Sequence, residues 1–188
     1  MSRPTPLALM CAAGAALAVL STVAVVATAF PIRAGSIPDP VIRDHLSHGT
    51  AGCQSALPVF DGNIRKRPLA VANEGASSAF LTCDFDDIDN NFGGKEKVGI
   101  YFVNQSGAAD ATVSCTLVDG VVISPAMTRY FPKVSPPIAL GATSGILWDA
   151  VADAVESGRY IAPALSCSLP PGIAVWAVQN VYPEDIGL

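Results

Sequence analysis

Thr112-Val113-Ser114-Cys115-Thr116-Leu117 alternates polar and apolar side chains without a break. Successive side chains of a strand point to opposite faces. Val113, Cys115 and Leu117 therefore share one face, and Thr112, Ser114 and Thr116 the other. One buried and one wet face is the pattern of an antiparallel sheet packed on a core. Ala164-Leu165-Ser166-Cys167-Ser168-Leu169 repeats the scheme, again with a cysteine between hydroxyl residues.

The same vocabulary of Val, Ile, Thr and aromatic residues recurs in short runs on either side. Candidate strands are 57–60, 70–72, 79–84, 98–104, 111–118, 121–124, 138–140, 146–151, 160–169 and 173–182. Turn residues close them, as in Asp61-Gly62-Asn63 and Asn104-Gln105-Ser106-Gly107. Asp119-Gly120, between two apolar runs, is a strong hairpin signal. In the last run Ile173, Val175, Ala177 and Val181 face one way. Ala174, Trp176, Val178 and Tyr182 face the other, so both faces are apolar and the strand is expected to be central. Helix is confined to a weak segment, 150–157, with no alternation of strand and helix. The expected fold is all-β, an antiparallel β-sandwich, with a closed β-barrel as the alternative.

The chain has 188 residues, 51% hydrophobic and 14% charged, with a net charge of −5. That is too apolar for a disordered chain and too acidic for a nucleic-acid binder. The length suits one domain. Part of the apolar content sits at one end. After Arg3, residues 7–30 carry no charge, and Ala27-Thr28-Ala29 has the small-x-small pattern of signal cleavage. Residues 1–29 are read as a signal peptide, an apolar helix cut after Ala29. The alternative is an uncleaved anchor, since such a run can span the ~30 Å of a bilayer core. Cys11 follows Met10 rather than the small residue a lipoprotein signal needs. Without this segment ten basic and sixteen acidic residues remain, a net charge of −6. Residues 30–50, proline-rich at their start, read as a flexible linker in which Pro40 opens a helical turn over 41–48. Residues 51–188 form the sandwich domain.

Cys53, Cys83, Cys115 and Cys167 remain behind the export signal, an even number that suggests two disulfides. No two stand at the C-x2–4-C spacing of a zinc site. Three pairings are possible. Cys53–Cys83 with Cys115–Cys167 is preferred, because the two hydroxyl-flanked strands can bring Cys115 and Cys167 within bonding range.

Leu81-Thr82-Cys83-Asp84, Val113-Ser114-Cys115-Thr116-Leu117 and Leu165-Ser166-Cys167-Ser168-Leu169-Pro170-Pro171 occur together here, with a closing Val178-Gln179-Asn180-Val181-Tyr182-Pro183-Glu184. In this the chain resembles an uncharacterised group of secreted bacterial proteins, over roughly residues 53–184. Asp84 departs from the group, which often has proline there. The resemblance implies an extracytoplasmic β-sandwich with two disulfides, and it brings no catalytic residues.

Asp84–Asn91 is rich in hard oxygen donors that suit calcium, with Asp87, Asp89 and Asn91 at positions 1, 3 and 5 of an EF-like loop. Phe92 and Val98 stand where that loop needs Gly and Glu, so an EF-hand is excluded, and a solvated acidic loop is the ordinary reading. His45 and His48 would share a helical face and could hold a metal with Asp44. Arg65-Lys66-Arg67-Pro68 could touch anionic polysaccharide or lipid. Asn104-Gln105-Ser106 is a glycosylation sequon that marks a surface turn. Trp148 and Trp176 are expected in the core, and Tyr130-Phe131-Pro132 nearer the surface. No G-x-S-x-G occurs, and no catalytic, cofactor or metal residue is assigned.

The expected protein is secreted or periplasmic, disulfide-stabilised and not an enzyme. It is a binding or envelope-associated module that uses no cofactor and no nucleic acid. Its partner is unidentified, with an envelope component or polysaccharide as the candidates, and a membrane only if the leader stays attached. The alternatives are an extracytoplasmic hydrolase with an unrecognised site and a membrane-anchored structural protein.

Overall fold

Short alternating runs punctuated by turn residues have one efficient way to bury their apolar face, which is to stack two sheets. A computed structural model of the chain describes residues 40–56, 62–85, 94–106, 110–121 and 127–184. Residues 1–39, which include the expected signal peptide, and the greater part of the acidic loop lie outside the described residues, as do the candidate strand 57–60 and all but Val121 of 121–124.

Eleven strands are described: β1 Val41–His48, β2 Cys53–Ser55, β3 Ile64–Arg67, β4 Ala70–Asn73, β5 Ala79–Asp84, β6 Lys97–Asn104, β7 Ser114–Asp119, β8 Arg129–Val134, β9 Thr143–Asp149, β10 Pro163–Leu169 and β11 Ile173–Glu184. One sheet runs β3-β4-β11-β6-β9, with β1 also paired to β11; the other runs β2-β5-β10-β7-β8. Every pairing is antiparallel. The fold is a β-sandwich of two separate sheets, and the barrel alternative is set aside. Among the described residues, no helix is long and apolar enough to cross a membrane.

The core lies between the sheets. Val98, Ile100, Phe102 and Trp148 from the first meet Leu81, Leu117, Leu165 and Leu169 from the second, all buried. β7 keeps the expected alternation, with Val113, Cys115 and Leu117 buried and Thr112 and Ser114 exposed.

Cys53 bonds Cys83, and Cys115 bonds Cys167. In both bonds the partners are directly opposed residues of adjacent strands, β2 with β5 and β10 with β7. The sulfurs therefore staple strands side by side on the inner face of one sheet, and neither bond crosses the sandwich. Their Cα separations, 4.0 and 4.1 Å, suit the closer type of antiparallel pair.

Several local expectations give way. Residues 41–48, read as linker with a helical turn, are strand β1, paired to β11 over its whole length. β4 covers only Ala174 and Val175 on that flank of β11, which leaves its last turns of backbone open for β1 to satisfy. The one short helix among the described residues, α1 (Gly49–Gly52), follows and carries the chain to the other sheet. A Cβ at Gly52 would lie 2.3 Å from the Asp84 carbonyl oxygen, so this crossing requires glycine.

β11 also breaks its own alternation. A bulge between Val175 and Ala177 shifts the register, so Ile173 and Val175 point inward before it and Val178 and Asn180 after it. That shift explains why both faces of the run look apolar. It also corrects the placement of Trp176, which lies half-buried on the outer face, over Ala70, Ala72 and Ala174. Trp148 is fully buried in the core as expected.

Asp119-Gly120 does not form a two-residue hairpin. β7 and β8 do pair, with Asp119 opposite Arg129, but a longer connection joins them. The Asp119 carboxylate is used elsewhere: Oδ1 accepts from the backbone N–H of Ile161 at 2.7 Å and of Ala162 at 2.9 Å. It is buried and fastens the β9–β10 connection. Asp119→Ala leaves two donors without an acceptor and is expected to cost about 2–3 kcal/mol. Asp119→Asn retains an acceptor oxygen and should cost less, an order that urea denaturation of the three proteins would check.

Candidate functional site

Because β5, β7, β8 and β10 alternate, the side chains that do not enter the core form an ordered outer face. The registers arrange them in rows across the strands. The middle row is Pro132, Thr116, Ser166, Thr82 and Gln54. One flanking row is Tyr130, Val118, Ala164 and Asp84, and the other is Val134, Ser114, Ser168 and Phe80.

Among these described outward positions Asp84 is the only charged residue. A solvated sheet face ordinarily carries charges of both signs. Here hydroxyls fill the centre and apolar side chains stand at three corners, with Phe80 59%, Tyr130 66% and Val134 61% exposed and Asp84 at the fourth. Thr82 Oγ1 reaches the Gln54 carbonyl at 3.5 Å. Among the described residues, no hydrogen bond within the protein engages the hydroxyls of Ser114, Thr116, Ser166 or Ser168. Each can donate and accept toward a ligand.

The outer face of the six-stranded sheet differs. Several of its charged residues are paired, as in Arg67 with Glu74 at 2.6 Å and Lys97 with Asp149 at 2.9 Å, while Arg65 stands exposed beside them. The hydrogen bond from Lys97 holds the Asp149 carboxyl below its ordinary range, and the Asp149 carboxylate in turn raises Lys97. Tyr101 and Trp176 lie with ring centroids 5.6 Å apart. The Tyr101 hydroxyl bonds the Gln179 side-chain oxygen, and Gln179 Nε2 donates to Asp44 Oδ1 at 2.8 Å. Burial, then the charge of Asp44, pushes the Tyr101 hydroxyl upward. This face is largely satisfied by itself.

Clefts open at the end of the sandwich where the β9–β10 connection lies. One of about 300 Å³ is lined by Asp119, Met127, Arg129, Glu156 and Ile161 among others. A second, of about 270 Å³, lies by Asp84, Phe85 and Lys95. The Asp119 carboxylate is committed to the backbone, as described above. Nearby, Asp153 accepts from Lys133 Nζ and from the Tyr160 hydroxyl at 2.7 Å. Burial pushes the Tyr160 hydroxyl far above its ordinary value, with Asp153 adding to the shift. These groups hold the connection in place.

His45 and His48 stand on a strand rather than a helix, so residues three apart point to opposite faces and cannot chelate one ion with Asp44. Among the described residues, no cluster of three or more His, Cys, Asp or Glu could hold a metal. The calcium loop lies outside the described residues apart from Asp84, whose Oδ1 accepts from the Phe85 N–H at 2.8 Å. The basic run is strand β3, which sends alternate residues to opposite faces: Arg67 pairs with Glu74, and Lys66 Nζ reaches the Thr50 carbonyl at 3.4 Å. Asn104 is not at a surface turn. It is buried, with Nδ2 donating to the Ile138 carbonyl at 2.9 Å, so the sequon is closed to a glycan in the folded protein. Tyr130 and Pro132 are exposed as expected, while Phe131 turns inward and meets the Tyr160 ring edge-on at 5.4 Å.

The hydroxyl face was not singled out from the sequence, although its signal was present. The Ser and Thr residues around Cys115 and Cys167 are the outward half of the same alternation that buries the sulfurs. What the sequence could not show was that β7 and β10 pair side by side with β8 and β5 as their outer neighbours, which turns separate residues into rows.

No protein-family model matches the chain, and no curated protein matches it. Among solved structures it is similar to that of TmCBM61 in complex with beta-1,4-galactotriose, with a TM-score of 0.35 and 10% sequence identity, over 75% of this chain and 88% of that one.

Proposed function

We propose that the chain is an exported, non-catalytic binding module that recognises a polysaccharide of the cell envelope through the outer face of its five-stranded sheet. On this reading residues 1–29 are a signal peptide cut after Ala29, and the mature protein acts in the periplasm or outside the cell. Two buried disulfides support an oxidising compartment, because cytosolic thiols are kept reduced.

The observation that carries the assignment is the composition of the face. Its centre is a row of hydroxyl side chains, bounded by exposed Phe80 and Tyr130 and almost free of charge, on an otherwise acidic protein. Phe80 and Tyr130 set exposed rings on either side of hydroxyls that no hydrogen bond among the described residues engages, apart from Thr82. The strands beneath are stapled by both disulfides, so a partner meets a preorganised surface.

The test is retention of the purified protein on isolated envelope material. Ser166→Lys and Thr116→Lys each put a long charged side chain in the middle row without touching the core, and should abolish retention. Thr143→Lys, on the outer face of the other sheet, should retain as the wild type does. Equal retention by all four proteins would contradict the assignment.

A further inference from the structure

Resting on that reading, we infer that the ligand is an uncharged polysaccharide bound in extended form across the strands, from Phe80 to Tyr130. Charge is the first argument. Among its described residues the face offers no cation to an anionic polymer, and Asp84 at its corner repels one; the basic residues of β3 lie on the other sheet. A single carboxylate is also a poor match for a polycation.

The second argument is hydrogen bonding. Thr116, Ser166 and Thr82 stand in one row on three adjacent strands, and each hydroxyl both donates and accepts. A polyol returns both kinds of bond along a line. A protein partner fits less well, because protein interfaces are depleted in serine.

The third argument is dimension. Three strand spacings separate β5 from β8, and four residues along β8 separate Val134, in the row of Phe80, from Tyr130. Strand geometry then puts the two rings ~20 Å apart. Both are exposed, and an apolar sugar face can stack on either ring. Only an extended chain of several sugars reaches both, whereas a small ligand would need a pocket.

The experiment measures binding of the mature protein to soluble uncharged polysaccharides of several backbone linkages and to anionic ones, followed by a length series of oligosaccharides from the best binder. At least one uncharged polymer should bind and the anionic ones should not. Affinity should rise with length until both rings are spanned. Phe80→Ala and Tyr130→Ala should each weaken the long chain about tenfold, as expected for an interface anchor. Both side chains are exposed, so unchanged thermal melts should show that the variants are folded.

Preferential binding of anionic polymers, or full binding by both alanine variants, would overturn the inference. If Ser166→Lys abolishes retention on envelope material while no uncharged polysaccharide binds, the ligand class is wrong and the face remains the recognition surface. If an uncharged polysaccharide binds the wild type and Ser166→Lys equally, the face itself is wrong and the inference falls with it.

Discussion

The double substitution C115A/C167A is expected to lower stability by about 4 kcal/mol. The bond closes a loop with a sequence separation of 52, and the chain-entropy model assigns that loop about 4 kcal/mol of denatured-state entropy. Both sulfurs are buried in the core, so alanine also removes packed volume there. Domains of this size hold 5–15 kcal/mol in total, and a loss of 4 should reduce Tm by roughly 8–16 °C. C53A/C83A, with a separation of 30, should lose slightly less, about 3.5 kcal/mol. Thermal melts of the wild type and the two double variants under oxidising conditions check both values. A Tm for C115A/C167A within about 2 °C of the wild type would show that the bond constrains neither state, contrary to its place between β7 and β10.

Trp148→Ala is expected to cost about 3–5 kcal/mol, at the upper end of core truncations. Trp148 is fully buried at the inner face of β9, an edge strand of the six-stranded sheet. Its Nε1–H donates to the Phe131 carbonyl on β8 at 2.7 Å, which joins the edge of one sheet to the edge of the other. Lys133 on β8 reinforces the seam. Its Nζ donates to the Leu147 carbonyl at 3.1 Å and lies 5.8 Å from the Trp148 ring centroid. The alanine variant loses the ring and leaves the Phe131 carbonyl without this donor. Trp148→Phe retains much of the ring volume and should cost only about 1–3 kcal/mol, chiefly the unmet carbonyl. Urea denaturation of the three proteins separates packing from the hydrogen bond. Equal losses for Phe and Ala would mean that the bond, rather than the ring, closes this side of the sandwich.

The central strands were legible because both of their faces are written in the residues. β5, β6, β7 and β10 sit where alternation and turn residues place them, to within a few positions. The strands that local pattern does not announce lie at sheet margins or carry charge. β3 is Ile-Arg-Lys-Arg, and β8 holds Pro132 between charged residues. A strand with one open side tolerates proline and benefits from charge, which blunts edge-to-edge association. These features lower the local β signal while the sheet partner supplies the stability. β1 was hidden for a related reason: its pairing is with β11, more than a hundred residues away, and nothing local announces it.

The candidate site was legible only in fragments. The alternation that located Cys115 and Cys167 also named Ser114, Thr116, Ser166 and Ser168 as outward residues. Row formation depends on strand order, and strand order is set by which edges meet across the whole chain. Local spacing misled most where it assumed the wrong period. The His45 and His48 pair reads as a chelate at helical spacing and falls apart on a strand. The sequon at Asn104 reads as surface until the β6 terminus is seen to be closed by the Ile138 carbonyl.

In the proposed reading the sulfur bonds tie export, fold and recognition surface together, since they favour an oxidising compartment and join strands that carry the hydroxyl rows. The direct measurement is a non-reducing peptide map, with thiol alkylation, of the protein recovered from outside the cytoplasm. It should yield Cys53 linked to Cys83, Cys115 linked to Cys167 and no alkylated cysteine. Free thiols would contradict the oxidising compartment, and a bond such as Cys53 to Cys115 would contradict the strand order.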